Sequence, residues 1–103
     1  MAKLTLIAAP TFKANVGIPV AGGEPIQVAF TFKHRTRTAL DEFMNTRAGK
    51  SDAETFMEMV EAWDIDLPYT KENVETLIEN YLGAPLATYR AYIDELVQAK
   101  VKN

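Results

Sequence analysis

The chain has 103 residues, 48% hydrophobic and 24% charged, with a net charge of −3 and no cysteine. That balance is far from the signature of disorder and fits one small domain, 1–103, with a single modest core. The missing cysteine excludes disulfides, thiolate zinc sites and cysteine nucleophiles.

The first residues, Met1 to Pro10, hold only a short apolar run. It is too brief to span a membrane and poor as an export signal, so the expectation is a cytoplasmic protein; a short strand over Lys3 to Ala8 is a weaker one. From Phe12 to Val20 apolar residues fall on every second position, and Ile26, Val28, Phe30 and Phe32 repeat the pattern. Period two is that of a half-buried strand. Between the two runs lies Ala21-Gly22-Gly23-Glu24-Pro25. Paired glycines accept positive φ and proline donates no ladder hydrogen bond, which predicts a hairpin over about 12–33.

After Lys33-His34-Arg35 the period becomes helical, and a helical part is expected over about 38–100. Thr38 with Asp41 reads as a capping box, followed by Leu40, Phe43 and Met44 on one face and a stop at Gly49. Ser51 with Glu54 opens a second helix, whose stripe is Ala53, Phe56, Val60 and Trp63. Pro68 biases Leu67 away from helical angles. Thr70 then caps a third helix carrying Val74, Leu77, Ile78 and Tyr81, and Gly83 stops it. Pro85 suits the first turn of a fourth helix, with a buried face of Leu86, Tyr89, Ile93, Leu96 and Val97. Residues Lys100 to Asn103 are expected to fray. The predicted class is α+β: an N-terminal β-hairpin or small antiparallel sheet followed by four helices packed as a small bundle.

Few residues can carry chemistry. His34 is the only histidine, so neither a two-histidine metal site nor a nucleophile relay can be built around it. Asp64 and Asp66 offer two ligands where calcium needs six or more, and no turn glycine follows them. No catalytic, cofactor-binding or metal-binding residue is predicted. The bases Lys33, Arg35 and Arg37 read as an exposed group able to touch a partner. Phe30 and Phe32 nearby could serve as stacking platforms for nucleic acid, although their alternation with Ile26 and Val28 marks a core face. Trp63, with Met57 and Met59, forms an adaptable apolar group, and Tyr92 is placed at the edge of the fourth helix's apolar face, where an aromatic can serve an interface. The charge is polarised: residues 1–37 carry five bases against one acid, and residues 38–66 two against eight. That suits steering of a charged partner or head-to-tail self-association.

The ordered set Phe30-Thr31-Phe32-Lys33-His34-Arg35-Thr36-Arg37, Leu40-Asp41-Glu42-Phe43, Trp63-Asp64-Ile65 and Asn80-Tyr81-Leu82-Gly83-Ala84-Pro85 resembles the tail assembly chaperones of long-tailed bacteriophages and prophages. The resemblance implies a non-catalytic helper in the host cytoplasm, absent from the mature virion. It implies binding to the tape measure protein, which the helper keeps soluble, and recruitment of tail tube protein. Partner-binding candidates are Lys33, Arg35, Arg37, Trp63 and Tyr92; a homo-oligomer is expected, and neither nucleic acid nor membrane. The alternative is a small nucleic-acid-binding regulator using the basic segment Lys33 to Arg37.

Overall fold

In a computed structural model of the chain, residues 3–97 are described. The hairpin forms as its alternation predicts. Strand β1, Thr11–Ile18, pairs antiparallel with β2, Ile26–Lys33, in a register that sets Phe12 opposite Phe32 and Val16 opposite Val28. At the turn, the Gly23 N–H donates to the Val20 carbonyl at 3.0 Å and Gly22 has φ +75°. Positive φ at the third of four turn residues is the type II pattern, which only glycine adopts without strain. Residues 3–8 form no strand, contrary to the weaker expectation.

Helix α1, Arg37–Thr46, is capped two residues before the predicted Thr38. Its cap is Thr36, whose Oγ1 accepts from the Ala39 N–H at 3.2 Å. A 3-10 turn at Arg47–Gly49 follows. Helix α2, Asp52–Met59, opens with the predicted capping box: Ser51 Oγ accepts from the Glu54 N–H, and Glu54 Oε1 from the Ser51 N–H. The bond from the Ser51 N–H, helped by the Ser51 hydroxyl beside it, also holds the Glu54 carboxyl below its ordinary pKa.

The sequence reading fails after Met59. Val60–Trp63 is a third strand, β3, on the free side of β2, giving the order β1-β2-β3. Trp63 sits opposite Phe30, Ala62 opposite Thr31 and Val60 opposite Phe32, with the register shift of a bulge that takes up Glu61. A bulge inserts one extra residue, so positions three apart face the same side of the sheet. Val60 and Trp63 therefore both turn inward, and their spacing imitates a helix.

Helix α3, Lys71–Asn80, is capped as predicted by Thr70, which accepts from the Asn73 N–H at 3.1 Å. Helix α4, Ala84–Val97, has Pro85 in its first turn. A Cβ on Gly83 would lie 2.9 Å from Pro19, so glycine allows the α3–α4 turn to meet the end of β1. The expectation for Lys100 to Asn103 and the predicted helical end near residue 100 lie outside the described residues.

The architecture is α+β, with helices on one face of an antiparallel sheet. Helix α2 packs on β2, β3, α3 and α4, while α4 runs against β1. Phe30, Phe32, Phe56 and Tyr92 are fully buried and in mutual contact through a chain of rings: Phe30–Phe56 at 5.4 Å, Phe30–Phe32 at 5.9 Å and Phe32–Tyr92 at 5.3 Å. Burying one such ring contributes about 2–3 kcal/mol. The face of α4 is a correction in part: Tyr89, Ile93 and Leu96 of the predicted face do pack, half-buried, against the core. Ala84, Thr88 and Tyr92 are its fully buried residues, while Leu86 and Val97 are exposed.

Candidate functional site

The five candidate residues do not share one surface. Lys33 closes β2 at partial exposure, and Arg37 is exposed at the start of α1. Arg35 is not the exposed base expected of it: its side chain is 18% exposed and held on several sides. Nη1 donates to the Glu58 carbonyl at 2.7 Å and to Tyr92 Oη at 2.9 Å. Its guanidinium lies 4.5 Å from the centre of the Phe43 ring.

Tyr92 is likewise moved from the edge of α4 to the core. Its hydroxyl donates to the Lys33 carbonyl at 2.7 Å. Strand β3 pairs only as far as Phe32, so that carbonyl lies just past the end of the β2–β3 ladder. A buried carbonyl without a partner is costly, and Tyr92 supplies the missing donor. Burial raises the Tyr92 pKa, against the opposing hydrogen bond and charge of Arg35. Arg35 and Tyr92 thus fasten α4 and the end of α2 to the sheet. Phe30 and Phe32 are fully buried and offer no stacking platform.

Asp64 is structural too. Asp64 Oδ1 accepts from the Ala29 N–H at 3.0 Å, while the Asp64 N–H donates to the Ala29 carbonyl at 3.1 Å, finishing the β2–β3 ladder. Among the described residues no group of three or more His, Cys, Asp or Glu is placed to hold a metal, and no helix is long and apolar enough to cross a membrane.

Arg35 and Arg37 line a cavity of about 620 Å³ with Leu40, Met44 and Leu96, and Trp63 lies on a second, more apolar surface. It lines a cavity of about 270 Å³ between the loop after β3 and α3, together with Ile65, Leu67, Leu77 and Tyr81. Asn73, Thr76 and Asn80 give the lining its polar members. Its indole Nε1 donates to the Leu67 carbonyl at 2.8 Å, and its ring meets Tyr69 edge-on at 5.0 Å. The Tyr69 hydroxyl donates to the Val60 carbonyl at 2.7 Å, and burial pushes its pKa up to about 12. Asn73 Nδ2 donates to the Pro68 carbonyl at 2.7 Å, tying the loop to α3. The groove is therefore preformed, with Leu67 still 61% exposed on its wall. An apolar pocket with a few polar groups is the ordinary form of a recognition site.

A family model described as phage tail assembly chaperone matches residues 1–103, the whole chain. The chain belongs to the phage tail assembly chaperones. No curated protein and no solved structure matches it. Membership implies a non-catalytic role in tail assembly and protein partners. Sequence reasoning singled out Trp63 and missed Ile65 and Leu67, which follow it in a loop without periodicity. Leu77 on α3 and Tyr81 at its C-cap read as core; they do pack against the core, half-buried, and line the groove as well.

Proposed function

We propose that this chaperone binds the tape measure protein, keeps it soluble and brings tail tube subunits to it, acting in the host cytoplasm without entering the mature virion. The groove formed by Trp63, Ile65, Leu67, Leu77 and Tyr81 carries the reading, because it is apolar, preformed and open. A long helical partner lays successive apolar residues along such a groove at helical spacing. Asp64, Asp66 and Glu72 lie exposed in the neighbouring loop and first turn of α3. They favour a segment whose apolar stripe is flanked by lysine or arginine. Lys33 and Arg37 remain candidates for a second contact. The nucleic-acid alternative loses support, since Arg35 is spent inside the fold and both phenylalanines are buried.

Co-expression with the tape measure protein of the same phage tests the reading. Soluble, co-purifying tape measure is expected, with loss of co-purification for Leu67→Lys, whose side chain starts exposed and whose change leaves the core alone. No gain in tape measure solubility would refute it.

A further inference from the structure

The wall that α3 gives the groove is uneven in its hydrogen bonding. Asn73, Thr76, Leu77 and Asn80 line the groove at spacings of three and four, which puts them on one face of the helix, with Tyr81 following at the C-cap. Leu77 and Tyr81 are the apolar members of that wall. Asn73 Nδ2 donates to the Pro68 carbonyl at 2.7 Å, Asn80 Nδ2 to the Thr76 carbonyl at 2.8 Å, and Thr76 Oγ1 to the Glu72 carbonyl at 2.9 Å. Each amide is therefore held by its nitrogen, and the hydroxyl has committed its single hydrogen. Across the groove the Trp63 indole has committed its N–H as well, to the Leu67 carbonyl.

What stays open is mostly acceptor. The amide oxygens of Asn73 and Asn80 have no partner among the described residues, and each offers two lone pairs against the one hydrogen left on its nitrogen. Charge points the same way: α3 carries exposed Glu72, Glu75 and Glu79 against Lys71, and among the described residues no basic side chain lines the groove. A carboxylate entering there meets few hydrogens and several like charges, whereas an ammonium or guanidinium, which only donates, meets oxygens. The two asparagines are seven residues apart, two turns or roughly 10 Å along α3. A helix lying alongside presents the same face at that same interval.

We infer that Asn73 and Asn80 are specificity-determining residues of the groove, each accepting a hydrogen bond from one of two lysines or arginines seven apart on a helical partner. The partner's apolar residues between those bases rest on Trp63, Leu67 and Leu77. This rests on the groove being the binding site and adds which segment it takes: an apolar stripe bordered by bases at heptad spacing. Thr76, between the two asparagines, offers a further acceptor.

Two synthetic helical peptides with the same leucine stripe test the inference, one carrying lysine and the other glutamate at two positions seven apart beside the stripe. Binding is read from Trp63 emission. The lysine peptide is expected to bind at least about tenfold more tightly. Asn80 is exposed and its amide holds only a helix carbonyl, so Asn80→Leu should leave thermal unfolding nearly unchanged while cutting the preference roughly threefold or more. Asn80→Asp, which keeps the oxygen, should preserve the preference. Glu79→Gln removes a full charge from an exposed position outside the groove lining, and should change the preference less than Asn80→Leu does. Equal affinity for the two peptides, with both lost on Leu67→Lys, would overturn the inference and leave the groove reading standing. Emission unmoved by either peptide would overturn both. A preference indifferent to Asn80→Leu, or more sensitive to Glu79→Gln than to Asn80→Leu, would overturn the inference alone.

Discussion

Arg35 shows how a surface-looking base becomes structural. Flanked by Lys33, His34 and Arg37 in sequence, it reads as one of a basic cluster, yet its guanidinium is bonded to the Glu58 carbonyl and Tyr92 and lies over Phe43. Nothing local in the chain announces that, because every partner comes from a distant element. Removing either end of the network should therefore destabilise the fold. Arg35→Ala is expected to cost about 1–3 kcal/mol, through lost charge-assisted hydrogen bonds and the ring contact, and Tyr92→Phe about 1–2 kcal/mol through the orphaned Lys33 carbonyl. Urea unfolding measures both, and the double variant should lose less than the sum, since the residues share a bond. Tyr69 gives a pH signature. Its folded pKa is raised from 10.0 to about 12 by burial. Over that interval the unfolded chain has lost the proton that the folded chain keeps, so stability present below pH 10 falls as pH rises toward 12. Tyr69→Phe should flatten that fall in stability measured by denaturant at stepped pH.

The hairpin, the caps at Ser51 and Thr70, and the starts of α3 and α4 follow from local chemistry, and local patterns predict them. Ser51 and Glu54 need only one another, as do Thr70 and the Asn73 N–H. Strand β3 does not behave this way. Its bulge gives Phe56, Val60 and Trp63 the spacing of a helical stripe, while the partner that decides the matter, β2, lies some thirty residues earlier. The face of α4 was hidden for another reason: its buried stripe contains small Ala84 and polar Thr88, and larger Leu86 draws the eye to the exposed side. The bulge makes a testable claim. Deleting Glu61 should regularise the ladder and leave Trp63 opposite Phe30, with unchanged fluorescence emission. Inserting one alanine after Ala62 should turn Trp63 to solvent and shift its emission to the red, because a one-residue slip exchanges the faces of a strand.

Across the molecule, the sheet and helices form one core and leave different work to different surfaces. Family membership assigns the chain to tail assembly. The groove reading rests on Trp63, which is the only tryptophan in the chain. Its fluorescence therefore reports on the groove alone. Titrating the protein with a soluble apolar segment of the tape measure protein should shift Trp63 emission to the blue in a saturable way, and Leu67→Lys should abolish the shift. Binding detected by another method with Trp63 emission unchanged would contradict the account.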